Sequence, residues 1–282
     1  MNRFIVFQSD FGLIDAAVSC MEGVAYKVDP DLKISHVTHD ITPYNIFEGS
    51  YRLFQTVYIW PEGTVFVSVV DPGVGSNRKS VVAKTKDGQY IVTPNNGTLT
   101  HVHKFFGIEA LREISEATNR RKNTELSYTF HGRDVYAYTA ARLASGVISF
   151  AEVGPELSLD EIVDLDIFET KISDGVITGQ VDILDGRFGS LWTSITYEEF
   201  KSLGFEFGDM VDVHIYNNKT EVYKNQVLYG PTFSAVNVGM PIVYMNSVYR
   251  MALAINQGSF AKAYSIGVGN NWLITLKRIS AK

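Results

Sequence analysis

The sequence predicts an α/β N-terminal domain with a central, mostly parallel sheet, followed by a smaller, β-rich C-terminal domain. Three observations carry this expectation. Strand and helix patterns alternate along the first half of the chain, as expected when helices cover both faces of a sheet. The run Val65-Phe66-Val67-Ser68-Val69-Val70 is almost continuously apolar and ends in Asp71-Pro72-Gly73, the pattern of a buried parallel strand running into a loop. Near residues 155 to 175 short acidic segments give way to turn-separated β-like runs.

The elements follow in order. Phe4-Ile5-Val6-Phe7 reads as a first strand and ends in Ser9-Asp10-Phe11-Gly12. A helical pattern covers 16–28 and is stopped by Pro30, which cannot continue a helix. A short strand at 33–37 precedes a polar loop and a helix over 46–60. Pro61-Glu62-Gly63 turns the chain into the strand that ends at Asp71. Segments 80–84 and 89–92 flank Asp87-Gly88, a hairpin signal. Helices are expected over 99–106 and over 133–145, the latter ending at Gly146. Strands at 176–184, 210–216, 220–228, 242–245 and 272–277 then suggest a small, largely antiparallel barrel or sandwich. The domain boundary is placed near residue 170, giving 1–170 and 171–282.

Composition narrows the function. The chain has 282 residues, 45% apolar and 20% charged, with a formal net charge of −6. That balance is ordinary for a globular protein and offers no basic face for nucleic acid. The longest basic run, Arg120-Arg121-Lys122, reads as solvated surface. The single cysteine, Cys20, rules out an internal disulfide or a cysteine-based zinc site and is expected to be a buried, inert thiol. No signal-peptide pattern or long apolar span is read, so the expectation is a cytoplasmic protein without membrane contact.

Chemistry is expected at the carboxyl ends of the strands, where open α/β sheets bind ligands. Asp10 and Asp71 stand at two such ends, and Arg78 follows seven residues after Asp71. Both aspartates also suit ordinary turns. Gly73-Val74-Gly75 lacks the Lys-Ser/Thr of a phosphate loop, and Asp10-Phe11-Gly12 has none of the other kinase motifs. His36, His39-Asp40 and His101-Val102-His103 have spacings that suit a metal, but converging ligands are what make a site; a satisfied or surface histidine is the preferred reading. His131 lies just before a helix, where the dipole disfavours imidazolium. A proton-handling histidine and an incidental one both remain open there. In the second domain Asp185, at the end of a strand, and the polar groups of Tyr244-Met245-Asn246-Ser247 and Ile255-Asn256-Gln257-Gly258 read either as strand ends or as a ligand-reading set.

Taken together, the strings SDFG (9–12), HDITPYNIFEG (39–49), VDPGVGSNR (70–78), TPNNGTLT (93–100), TFHGRD (129–134), LDGRFGSLWTSI (184–195), YMNS (244–247) and INQGSFA (255–261) resemble the S-adenosylmethionine hydrolases, relatives of the adenosyl fluorinase and chlorinase. The resemblance runs along nearly the whole chain in order. It implies an α/β domain with a β-barrel-like C-terminal domain, no cofactor, and a homotrimer with active sites at subunit interfaces. It implies hydrolysis of S-adenosyl-L-methionine to adenosine and methionine by attack of activated water at C5′, with Asp71, Arg78 and His131 as the water-activating set. Gly132 stands where the halogenases carry a halide-binding serine, which places the chain on the hydroxide side.

The same resemblance implies a substrate site. Asp10 would bind the ribose diol, Tyr44 would stack near ribose and sulfonium, and Phe130 would line the pocket. Asp185 and Ser247 would hold the methionine end, Phe188 would stack on adenine, and Asn256 and Gln257 would form the adenine wall. The chain departs from the family at Ser190, where an asparagine usually contacts adenine, and at Ser194. Two other readings compete: a metal-dependent hydrolase using Asp10, His36, His39, Asp40 and Asp71, and a non-catalytic nucleoside-binding protein.

Overall fold

The computed structural model describes residues 3–279 and divides into two compact units, one ending at Leu165 and one beginning at Asp166. In the first unit the strands are β1 (Phe4–Ser9), β2 (Lys33–Thr38), β3 (Val65–Val69), β4 (Ser80–Thr85), β5 (Tyr90–Pro94), β6 (Ile108–Glu113) and β7 (Glu156–Leu157). They form one sheet in the order β2-β1-β3-β5-β4-β6-β7. The β2, β1, β3 and β5 strands run parallel, and β4, β6 and β7 extend the sheet in antiparallel fashion.

Helices cover both faces, as the alternating pattern requires. The α1 helix (Ala17–Val28) and the segment 132–144 pack on one face, where Val18, Met21, Val135 and Ala140 meet Ile5, Phe7 and Val67. On the other face, α2 (Ile46–Val57) and α3 (Thr100–Phe105) supply Leu53, Val57 and Val102 against Val6, Phe66 and Ile91. Asn45 caps α2, its side chain accepting from the Glu48 N–H at 3.0 Å. The helix ends at Val57 rather than running on to Trp60. A short α4 (Glu116–Asn119) follows β6. The helix expected over 133–145 is a π-type turn, Gly132–Ala137, followed by α5 (Tyr138–Ala144). Cys20 is half-buried rather than buried.

The second unit contains β8 (Lys171–Ser173), β9 (Val176–Leu184), β10 (Leu191–Thr196), β11 (Met210–Asn217), β12 (Thr220–Tyr229), β13 (Pro241–Met245), β14 (Arg250–Ile255) and β15 (Trp272–Arg278). The order β10-β14-β13-β12-β11-β15-β9 closes through β9–β10 pairing into a barrel, with β8 added outside β9. All pairings are antiparallel except β12–β13. Alternate residues point inward, and Ile177, Val181, Val213, Leu253 and Ile274 fill the interior. Two short helices, α6 (Tyr197–Ser202) and α7 (Phe260–Tyr264), interrupt the strands.

Candidate active site

β1 and β3 are adjacent and parallel, with Ser9 opposite Val69. Asp10 and Asp71 therefore leave the sheet at the same edge. The side chain of Asn96 donates to the Val70 carbonyl at 2.9 Å and holds the backbone just before Asp71. After Asp71 the chain makes two tight turns, Val74 N–H to Asp71 carbonyl and Ser76 N–H to Gly73 carbonyl. Gly75 sits in the second at φ +78°, a left-handed conformation that favours glycine, and a side chain there would press on the Tyr128 carbonyl. The turns bring Arg78 back over Asp71.

Arg78 grips Asp71 with a two-pronged pair: Nε donates to Oδ1 at 2.9 Å and Nη2 to Oδ2 at 2.5 Å. Its Nη1 donates to Ser80 Oγ at 2.9 Å, and Nη2 also lies 3.0 Å from His131 Nδ1. The side chains of Arg78 and Asp71 are only 11% and 5% exposed. Burial works against the Arg78 charge, but the bond to Asp71 and the nearby acidic groups outweigh it, so the guanidinium holds its proton more firmly than usual. Tyr136, fully buried, reaches Asp71 Oδ2 at 3.4 Å and Ser80 Oγ at 3.2 Å. Burial pushes its phenol well above the ordinary range, so it stays a neutral donor.

His131 opens the π-type turn and is buried. Burial lowers its pKa first; Arg78 and Arg120 lower it further, against the opposing pull of Glu116 and Asp71. Arg120 is thus not solvated surface: its side chain is 6% exposed and its Nη1 lies 3.5 Å from His131 Nε2. Its neighbour Arg121 is less covered, its side chain 41% exposed, and Lys122 is exposed. Neither Arg120, Tyr136 nor Ser80 was singled out by motif reasoning, because none sits in a chemistry-bearing string.

Asp10, Tyr44, Asp71, Phe130 and His131 line one pocket of about 330 Å³, with Phe11, Pro43, Val69, Val74, Thr129 and Gly132. Tyr44 takes a left-handed φ of 68° and turns its N–H onto Asp10 Oδ2 at 2.8 Å. Such a conformation is unfavourable for a bulky residue and is held here by that bond. Behind Asp10 runs a chain of hydrogen bonds, buried at Ser9 and His39 and open toward the surface at its far end. Phe11 N–H donates to Ser9 Oγ at 3.3 Å, Ser9 Oγ meets His39 Nδ1 at 2.7 Å, and His39 Nε2 meets His36 Nδ1 at 2.8 Å. His36 Nε2 ends the chain 3.0 Å from Glu22. Burial and the neighbouring His36 push the His39 pKa down to about 4. The histidines spend their nitrogens on this chain, and among the described residues no group of three His, Cys, Asp or Glu side chains is arranged to hold a metal. His101 is satisfied by Ser50 at 2.8 Å and His103 faces Asp164 at 3.0 Å.

A second pocket, of about 760 Å³, lies in the barrel unit. Asp185, Phe188, Ser190, Asn256 and Gln257 line it, together with Arg187, Phe233 and Ser259. Gly189 makes its loop possible: at φ +69°, a Cβ there would fall 2.0 Å from Ser259 Oγ. Its carbonyl accepts from Ala261 N–H at 2.9 Å, fastening the loop to the start of α7. Asn256 Nδ2 donates to the Val236 carbonyl at 2.8 Å. Ser247 stands exposed in the turn between β13 and β14 and is not among the residues lining this pocket.

The first pocket offers an oriented carboxylate and a neutral imidazole, both held by the Arg78 guanidinium behind them, a set suited to activating an oxygen nucleophile. Comparison with known proteins agrees in kind. Residues 5–154 match the model of the SAM hydroxide adenosyltransferase N-terminal domain and residues 179–273 that of the C-terminal domain. The chain is 37% identical over 215 residues to an (R)-S-adenosyl-L-methionine hydrolase of Methanocaldococcus jannaschii, covering 75% of this chain and 73% of that one. It is 30% identical over 295 residues to a fluorinase of Actinopolyspora mzabensis, covering 96% of each. The crystal structure of an uncharacterized conserved protein from Thermotoga maritima superposes with a TM-score of 0.88 at 32% identity, covering 97% of this chain and all of that one.

Proposed function

Because the chain belongs to the SAM hydroxide adenosyltransferase family, we propose that it hydrolyses S-adenosyl-L-methionine to adenosine and L-methionine. The observation that carries this reading is the interlocked Asp71–Arg78–His131 set, with Asp71 and His131 at the pocket wall. Water attacks C5′, the C5′–S bond breaks, and its electron pair leaves with sulfur as a neutral thioether. The water gives up one proton in the process. The reacting charges, a hydroxide-like oxygen and a sulfonium, cancel as the transition state forms, which a poorly hydrated pocket favours.

Each residue has a role the geometry supports. A carboxylate offers about four lone-pair sites. Arg78 Nε, Arg78 Nη2 and Tyr136 occupy three of those on Asp71, and the remainder can orient water and receive its proton. Arg78, pinned at all three nitrogens, is a fixed positive charge for developing hydroxide. With Arg78 donating to Nδ1, His131 is the neutral Nε2–H tautomer, a polar group at the pocket wall beside Asp71 rather than the proton's first stop. Asp10 would take the ribose diol, with Tyr44 and Phe130 at the pocket wall. In the barrel unit, Asp185, Phe188, Ser190, Asn256 and Gln257 would take the rest of the substrate, with Ser247 at the methionine end. We further propose a cytoplasmic homotrimer in which the first pocket of one subunit works with the barrel pocket of the next.

Hydrolysis in ¹⁸O-water tests the reading. Labelled adenosine with methionine is the expected outcome, and activity is expected to survive EDTA. Methylthioadenosine, unlabelled adenosine or a halogenated nucleoside as main product would overturn it. Activity lost to chelation and restored by a divalent cation would move the chemistry to a metal.

A further inference from the structure

We infer that Arg120 is a positioning residue for His131: it stands on the opposite side of the imidazole from Arg78 and, together with Arg78, keeps the ring uncharged. The inference rests on the role proposed above for His131, and goes beyond the Asp71–Arg78–His131 set to a residue outside it.

The geometry is a ring held between two guanidiniums. Arg78 Nη2 lies 3.0 Å from Nδ1 and Arg120 Nη1 lies 3.5 Å from Nε2. A guanidinium can only donate, and a neutral imidazole has a single accepting nitrogen. The shorter contact takes that acceptor, so the proton belongs on Nε2. An imidazolium would turn an N–H toward a permanent cation on both sides. Protonation is therefore opposed from each direction, while the tautomer is set by Arg78, whose closer contact requires Nδ1 to accept.

Arg120 is built into this place. Its Nη1 donates to Glu116 at 2.6 Å, its Nε to Thr124 Oγ1 at 3.2 Å, and its Nη2 to the carbonyls of Thr124 at 3.1 Å and Ser127 at 2.5 Å. The Tyr128 ring lies against the guanidinium at 4.7 Å. The contacts close the loop between α4 and Thr129, which lines the pocket. The other groups that face the His131 ring are Asp71, Glu116, Tyr128 and Tyr136. Arg120 and Glu116 form one ion pair but pull the ring in opposite directions, Arg120 against its protonation and Glu116 toward it.

That opposition makes the test. Protein carrying ¹³C-labelled histidine is titrated by NMR, with the His131 signal assigned by its loss in His131→Asn. In Arg120→Gln the His131 pKa should rise toward the ordinary value of about 6.5. In Glu116→Gln it should fall below that of the unsubstituted protein. Arg120→Lys, which keeps the charge, should stay near the unsubstituted protein. The acid limb of kcat should move the same way: since the neutral ring is the working form, Arg120→Gln should lose several-fold more activity near about pH 6 than near about pH 8. A uniform loss at all pH values, an unmoved His131 titration in Arg120→Gln, or shifts of the same sign in Arg120→Gln and Glu116→Gln would each overturn the inference. If Arg120→Gln does not fold, Arg120→Lys and Glu116→Gln still decide it. The titration needs no substrate, so a protein that fails to hydrolyse S-adenosyl-L-methionine refutes the proposed reaction and leaves this result standing on its own.

Discussion

Replacing Arg78 by lysine separates the charge of the guanidinium from its shape. The ammonium keeps a positive charge beside Asp71, so that buried carboxylate stays paired. It cannot keep the fork onto Asp71 while also reaching Ser80 Oγ and His131 Nδ1, which the guanidinium does at 2.9 and 3.0 Å. A hydrogen bond to a charged group is worth about 1.5–3 kcal/mol. If the His131 bond is needed in the transition state, its loss lowers kcat by roughly 10- to 150-fold, at 1.36 kcal/mol per decade. Stability should change little. Arg78→Met is the contrast: it strands a carboxylate that is 5% exposed and should destabilise by about 3–5 kcal/mol. The assay is adenosine release followed chromatographically for kcat and KM, with thermal unfolding of the same preparations. A lysine variant with kcat within about threefold of the unsubstituted enzyme would refute the argument that the fork matters.

Three further outcomes are expected. His131→Ala should lower turnover roughly 10²–10³-fold, the usual size of one preorganised polar group, while calorimetric binding of adenosine stays nearly intact; unchanged turnover would remove His131 from the site. Mixing His131→Ala chains with Asp185→Ala chains should restore part of the activity if subunits share sites, and full activity in a proven monomer would exclude sharing. Burial raises the Asp182 carboxyl to about 7, with Arg250 and Gln180 pulling it down. Its unfolded value is near 3.8, so the folded chain loses stability as pH rises from about 4 to about 7 and the loss is complete above that. Asp182→Asn should therefore gain stability over Asp182 across that window, on the order of 2–4 kcal/mol by pH 8 in urea unfolding, and a pH-independent difference would show that the carboxyl does not titrate there.

The parallel core was legible because its strands are short apolar runs with turn signals at their ends: Phe4–Ser9 and Val65–Val69 are buried along most of their length. Ile108–Glu113 was not, since only Ile108 and Leu111 are buried, three apart, which is a helical spacing. Arg250–Ile255 was passed over because Met, Ala and Leu favour helix; barrel pairing on both edges overrides that preference. In the site, the strings located Asp71, Arg78 and His131, but composition could not tell which arginine of the run 120–122 turns inward. Tyr136 was hidden by geometry. Five residues on in a regular α-helix it would point away from His131. The π-type turn brings the two rings to 6.4 Å.

With both histidines neutral, the chain of groups behind Asp10 has one proton order. Glu22, a carboxylate that can only accept, fixes the far end: with neutral rings His36 gives it Nε2–H, so His36 Nδ1 and His39 Nδ1 accept and the Ser9 hydroxyl, which also takes Phe11 N–H, donates to His39. His39 then carries its proton on Nε2 and donates to His36 Nδ1, and His36 carries its own on Nε2 and donates to Glu22. The carboxylate, which can only take, sets the direction from its end, and the serine, which can both give and take, follows it. The loop that presents Asp10 is thus tied to the surface of α1 by a polarised wire rather than by interchangeable contacts. Glutamine at position 22 could either give or take; it would keep the length of the wire and erase its direction.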